Sequence, residues 1–581
     1  MRLLTKRYTR AAIYVGVIYA GIRLFQFYLK DISKNVDYRL KEELLLESLL
    51  QNDNPWLRNH LEDDLIVNIG IESCFQIGSK WARSKYIEGC WFHDEKLFSS
   101  QEGIDTRRHT ILKDLRGTLG MSLYGTSQYL YFETLSIKDL LIHLHDGLEE
   151  VQIISRISSD RTPDSIIFNN LHFQTTKITK ETLLQDQEII SEINVLFGDD
   201  CVDPRPNWNL LKGQKFTEFK YPSYISYKSV DKFDDQSIQL SPKLLTTTSQ
   251  DFKIVQLADL HMGVGTNECR DEFPESSDGV CKADPKTLEF IEKVLDNESP
   301  QLVVFTGDQI MGDRSIQDSE TTLLKALDPV IRRKLPWAMV WGNHDDEGSL
   351  SRWQLSELAA KLPYSLFEMS KYDTKNNKFG VGNYAKQVFN GDNEEEGLIT
   401  LYFLDSHKYS QMGKIYPGYD WIKEEQLNYI EHEYNTKLLL KQSKQKKQLS
   451  MAFFHIPLPE YLNLNSAKRA GENNPLVGEF KEGVTAPKYN SGALEKLQSL
   501  GVQVTSCGHD HCNDYCLLDD STSSDIWLCF GGSAGEGAYA GYGGTERRIR
   551  VYALNTERST VYTWKLLNGS PNLPFDYQQL V

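Results

Sequence analysis

The chain is short of cysteine, of basic surplus and of long apolar runs, and each shortage closes off a class of protein. Nine cysteines in 581 residues, without a repeating spacing, are too sparse for a disulfide scaffold, and that count permits a reducing compartment. Lys and Arg number 64 against 81 Asp and Glu, so the net charge of −17 lacks the cationic excess that draws a protein to a phosphate backbone. Nucleic acid is therefore not an expected partner. With 39 Gly and 19 Pro, collagen and low-complexity chains are excluded, and 40% hydrophobic with 25% charged residues is an ordinary globular composition. The length suits one large domain with an accessory domain, or several smaller ones.

Residues 1–34 depart from this composition. Arg2, Lys6, Arg7 and Arg10 precede an uncharged stretch at 11–22, and Arg23 and LFQFYL follow it. If Arg23 snorkels, 11–29 comes close to the roughly 20 residues of a spanning helix, with the basic flank on the cytosolic side. Membrane association through this segment is the expectation. A mitochondrial presequence and a plain amphipathic helix on a cytoplasmic protein are the alternatives.

Residues 35–230 read as a β-rich accessory domain of short alternating runs. Leu65, Val67, Ile69 and Ile71 share one strand face, and 129–132, 166–168 and 194–197 are further strands. His143 and His145 fall on one face of another strand, where, lacking a third ligand, they read as surface residues rather than a metal pair. The polar, aperiodic stretch 231–250 is the linker, 251–567 the main domain and 568–581 a tail.

In the main domain, apolar strands at 252–257, 302–306, 337–341, 398–404, 451–454 and 502–507 alternate with helical stretches near 284–297, 318–334, 351–361, 420–438 and 491–500. This predicts an α/β fold with buried strands, whose sites lie beyond the carboxyl ends of the strands. At those ends stand Asp259, His261, Asp308, Asn343, His455, His509 and His511. Carboxylate, imidazole and one amide oxygen form a mixed O/N donor set suited to Mn, Fe or Zn, enough for two ions if one carboxylate bridges them. His407, after the strand at 398–404, is expected close to the site as a candidate substrate contact. The glycine-rich 531–544 lacks the Lys-Ser/Thr of a P-loop and reads as a site-rim turn, and the basic run 437–447 reads as a solvated helix end.

Asp259-x-His261, Gly307-Asp308, Gly342-Asn343-His344-Asp345, His455 and Gly508-His509-x-His511, in this order, resemble the calcineurin-like metallophosphoesterases. The surroundings, with FTGDQ at 305–309, the GGSAGEGAYAGYGG loop at 531–544 and RRIRV at 547–551, are most similar to fungal dosage-dependent cell-cycle-regulator phosphatases and the plant purple-acid-phosphatase-29-like group. The resemblance implies a two-sheet sandwich flanked by helices. It also implies one metal on Asp259, His261, Asp308 and His511, and a second on Asp308, Asn343, His455 and His509, with Asp308 bridging. It makes His344 the leaving-group acid, with Asp345 orienting its ring, and implies phosphomonoester hydrolysis by a hydroxide activated between the metals. A phosphorylated protein is the implied substrate, in a regulatory, cell-cycle type of role. Phosphodiesterase, small-molecule phosphatase and non-catalytic scaffold are the alternatives, the last disfavoured because no ligand position is substituted. Met311 stands where purple acid phosphatases place their metal-binding Tyr, so a purple ferric-tyrosinate centre is not expected.

Overall fold

The computed structural model describes Arg23 and residues 60–581, apart from 78–91, 98–103, 117–123, 162–164, 180–188, 220, 231–244, 248–250, 276–278, 370–378, 392, 444–447, 466–475, 520–523 and 542. The sequence-predicted strands of the main domain fall into two sheets. One has six strands: Trp337–Val340, Leu302–Thr306 and Asp251–Leu257 run parallel, and Arg548–Asn555, Thr560–Leu567 and Ser570–Gln579 continue it antiparallel. The last of these draws in 570–579, which the sequence set apart as a tail. The other has seven, with Asn393–Phe403, Leu449–Phe453, Val504–Cys507 and Ile526–Phe530 as its parallel core. Leu245–Thr247, from the expected linker, pairs with Tyr384–Asn390 at its edge.

Every residue of LVVFT at 302–306 and of LSMAF at 449–453 is buried, as continuous apolar strands covered on both faces must be. Ile254, Val304 and Ile549 of one sheet share a core with Leu401, Met451 and Val504 of the other, which makes the main domain a sandwich. On the outer face of the second sheet, Tyr402, Ala452 and Leu528 pack under Leu427 and Ile430 of the helix Glu424–Glu433 and Leu494 and Leu497 of the helix Ala493–Ser499.

Among the described residues the N-terminal region contributes three further sheets. Its strand Asp64–Ile77 carries a register shift between Ile66 and Asn68. The extra residue sends Leu65 and Val67 into one core and Ile69 and Ile71 into another, so the four do not share the face that strict alternation predicts. His143 and His145 lie on a helix, Ile137–His145, capped by the Ser136 side chain accepting from the Asp139 amide. Two residues apart on a helix, they point to different sides.

Two lysines, one partly and one fully buried, fasten the N-terminal region to the main domain. Lys113 Nζ lies 2.7 Å from Asp318 and 2.8 Å from Glu320, at the start of the helix Ser319–Arg332. Lys325, on the same helix, reaches Asp200 at 2.6 Å and Asp284 at 2.5 Å, and donates to the carbonyls of Gly263 and Gly265 just beyond His261.

The expectation of a membrane span is corrected: among the described residues no helix is long and apolar enough to cross a membrane. Of the segment that suggested it, only Arg23 lies within the described residues. The low cysteine count also concealed cross-links, since Cys269 pairs with Cys281, and Cys516 with Cys529 across two antiparallel strands.

Candidate active site

Each strand end delivers its ligand within a few residues, and the backbone bends sharply to do so. Asp259, His261, Asp308 and His509 have φ of 54, 50, 52 and 77°, a left-handed conformation that non-glycine residues adopt at a cost of order 1–3 kcal/mol and that collects at functional sites. The glycines that precede Asp308, Asn343 and His509 supply room. A Cβ on Gly307 would stand 2.3 Å from His455 Nδ1, one on Gly342 2.1 Å from Asp308 Oδ1, and one on Gly508 2.6 Å from Asp259 Oδ2.

The seven predicted donors come together in two buried clusters joined by Asp308. In the first, His511 Nε2 lies 3.1 Å from His261 Nε2 and 3.5 Å from Asp259 Oδ1. In the second, His455 Nε2 lies 3.1 Å from Asn343 Oδ1 and 3.2 Å from His509 Nδ1. Asp308 Oδ2 is 3.7 Å from His261 Nε2 and 3.3 Å from His455 Nε2. Donor atoms that share one ion at about 2.1 Å lie roughly 3–3.5 Å from each other, so these spacings fit two metal positions with Asp308 between them.

The surroundings set the protonation of the donors unequally. Burial and the neighbouring imidazoles hold His261 and His509 well below the usual histidine range, leaving both neutral. Burial pulls His455 down as well, but the Asp308 carboxylate outweighs it and lifts the ring to about 9, so a metal taken up there releases a proton. Three second nitrogens have partners of their own. His455 Nδ1 faces the Thr306 carbonyl at 2.9 Å, His511 Nδ1 the Tyr539 carbonyl at 3.3 Å and His261 Nδ1 the Met311 sulfur at 3.1 Å. Met311 thus meets a ligand through its thioether, at the position where a coordinating Tyr was ruled out.

His344 stays outside both clusters, with its ring 5.4 Å from that of His261. It is only partly buried, whereas the four histidines of the clusters are buried. Its Nδ1 lies 2.7 Å from Glu347 Oε2. Burial lowers its pKa, but Asp308 and Glu347 together raise it above the ordinary value, which favours a protonated ring.

Asp345 does not touch that ring. Its carboxylate accepts from the amides of Asp308 at 3.0 Å, Ile310 at 3.1 Å and Gly342 at 2.7 Å, so it ties two ligand loops together. The expectation that it orients His344 is corrected, because the three amides occupy it. His407 is also removed from the metal positions: its Nε2 meets Gln426 at 2.7 Å in the interior.

Two tyrosines that the sequence did not single out flank the donors. Tyr539 stacks on His511 at 3.9 Å, and Tyr419 sets its edge against His509 at 4.3 Å. Tyr539 also borders a cavity of about 720 Å³ lined by Arg270, Asp271, Glu272 and Phe273, in the loop that Cys269–Cys281 closes. The glycine-rich segment backs the first ligand loop rather than cradling phosphate: the amides of Ala534 and Gly535 donate to the carbonyls of Ala258 and Asp259.

Residues 252–513 match the family model for calcineurin-like phosphoesterases. The whole chain is also 51% identical to Phosphatase DCR2 of Saccharomyces cerevisiae, over 100% of this chain and 98% of the relative. The chain belongs to the calcineurin-like phosphoesterase family. A further relative is the probable inactive purple acid phosphatase 29 of Arabidopsis thaliana, 34% identical over 58% of this chain and 88% of that protein. Among solved structures, the purple acid phosphatase PPD1 from yellow lupin aligns over 90% of this chain and 72% of its own, with 10% identity and a TM-score of 0.37. As a calcineurin-like phosphoesterase with a named phosphatase relative along its full length, the protein is a metal-dependent phosphatase.

Proposed function

We propose that this phosphatase hydrolyses phosphomonoesters, with a phosphorylated protein as its substrate and a regulatory role of the cell-cycle type. The observation that carries the reading is the division of labour among the histidines. Four imidazoles converge with Asp259, Asp308 and Asn343 as donors, and His344 stands beside them with Nδ1 engaged by Glu347.

Asp259, His261, Asp308 and His511 would hold one ion and Asp308, Asn343, His455 and His509 the other, of Mn, Fe or Zn type. When bound, the ions supply Lewis acidity toward the phosphoryl oxygens and a low-pKa water. The chain's residues do the rest. Asp345 sets the spacing of the Asp308 and Asn343 loops through three amides, the backbone N–H of His344 donates to Asp308 Oδ1 at 2.8 Å, and Glu347 favours the protonated ring. His344 Nε2, which has no hydrogen-bond partner among the described residues, would give its proton to the departing alkoxide.

The test is metal analysis with a substrate panel. Two ions per chain and turnover of a phosphoserine peptide but not of bis(p-nitrophenyl) phosphate are expected. Preference for the diester would replace this reading with a phosphodiesterase, and preference for a small phosphate ester over the peptide would replace the protein substrate.

A further inference from the structure

The segment that follows His407 leaves the body of the protein and returns to it. Lys408 accepts through its carbonyl from the amide of Asp420, Gly418 does the same for Ser410, and Tyr409 and Tyr419 face each other across an antiparallel bridge. This hairpin stands at the metal positions. Tyr419 meets His509 at 4.3 Å between centroids, and Tyr409 stacks on the other ring at 5.3 Å, with an interplanar angle of 19°. At the hairpin base Lys408 Nζ reaches Asp346 at 2.9 Å, two residues beyond His344, which ties the hairpin to the loop that carries the proposed acid. A second group of rings adjoins it in sequence, with Trp421 4.6 Å from Tyr489 and Tyr416 5.1 Å from Tyr489.

Shielding His509 would need Tyr419 alone. Tyr409 lies one ring further out and remains 53% exposed, a large aromatic surface stacked on Tyr419, whose ring in turn meets His509. Its ring face offers no positive charge to a phosphoryl group, whose oxygens belong to the metal positions. What it offers is an offset or edge contact to another planar ring, with a preference over an aliphatic group of the same size.

From this juxtaposition we infer that the 408–420 hairpin is a specificity element and that Tyr409 receives an aromatic ring carried by the leaving group of the phosphoester. The inference rests on the phosphomonoesterase reading above. The same chemistry has two sources, the phenyl ring of phosphotyrosine and the base of a nucleotide.

Calorimetric titration of the metal-loaded full chain tests it without turnover, using benzylphosphonate and cyclohexylmethylphosphonate. These match in size and charge but differ in planarity. The expected result is about two- to tenfold tighter binding of the benzyl compound, a preference lost in Tyr409→Leu and kept in Tyr409→Phe. Equal affinities in the wild type, or a preference that survives Tyr409→Leu, would overturn the inference. Phosphonomethyl-phenylalanine and the 5′-phosphonate of adenosine then separate the sources. The one whose affinity falls in Tyr409→Leu identifies the ring, and a fall with neither also counts against the hairpin. Activity is assayed separately, so a metal-loaded protein that binds phosphonates yet cleaves no phosphomonoester would fail the functional reading while leaving the ring preference to be judged by the titration.

Discussion

Glu347 Oε2 lies 2.7 Å from Nδ1 of His344, one turn along the chain, and gives the ring the carboxylate partner that Asp345 was expected to be. The imidazole therefore has one nitrogen committed to a carboxylate and, in a partly buried ring, one without a hydrogen-bond partner among the described residues.

If His344 is the acid, its loss should depend on the leaving group. His344→Ala is expected to keep two metals and to lose about 10²–10⁴ in rate on an alkyl phosphate, with a much smaller loss on p-nitrophenyl phosphate, whose leaving group departs without a proton. Glu347→Gln should follow the same pattern with about 10–100-fold loss. Equal losses on both substrates would assign the ring to phosphoryl stabilisation instead.

Asp308 faces donors of both clusters, at 3.7 Å from His261 and 3.3 Å from His455. Asp308→Ala is expected to lose both metals and all measurable hydrolysis, whereas Asp259→Asn keeps partial occupancy. Elemental analysis of the purified variants decides it. Stoichiometric metal in Asp308→Ala would remove the bridge.

For Asp345 the expectation is the reverse of that for Glu347. Asn in its place turns an NH₂ toward either the Ile310 amide or those of Asp308 and Gly342, at a cost of about 1–3 kcal/mol per group left unsatisfied. Asp345→Asn should therefore lower Tm and metal content, with equal loss on alkyl and aryl phosphates. A selective loss on the alkyl ester would restore Asp345 as a partner of the acid.

The strand ends were legible because each joins an apolar run to a ligand, so the seven donors could be read in order, while the two-sheet sandwich was an expectation from the family resemblance. Other features leave no such mark. The partnership of Glu347 with His344 depends on a short turn, and Tyr419 and Tyr539 reach their histidines through loops far away in sequence. The bulge at 66–68 and the helix carrying His143 and His145 went unread for a different reason: short apolar runs do not reveal an extra residue, nor decide strand from helix.

Away from the metals, Asp514 ties the two sheets together, paired with Arg548 and with Lys565 Nζ at 2.9 Å. Burial pushes its carboxyl up, but Arg548, Lys565 and the Glu479 amide outweigh that and hold it at about 2. A depressed carboxylate stabilises the fold above its unfolded value, near 4, and that contribution, about 2 kcal/mol, should disappear as pH falls from about 4 toward 2. Urea unfolding across that range should show the loss in the wild type. Asp514→Asn, which leaves two buried cations short of a partner, should be less stable by about 3–5 kcal/mol at neutral pH.

The space reserved by Gly307, Gly342 and Gly508 has a consequence for judging which other sequences of this kind are working enzymes. Each glycine belongs to one motif, but the atom that would strike its added Cβ belongs to a ligand from another. A chain can therefore retain all seven donors and still be inactive through one alanine at such a position. Conversely, regaining activity from that state requires restoring the glycine, since no change at a donor recreates the space. Counting ligands overestimates the number of competent phosphatases, and the glycines belong in the count.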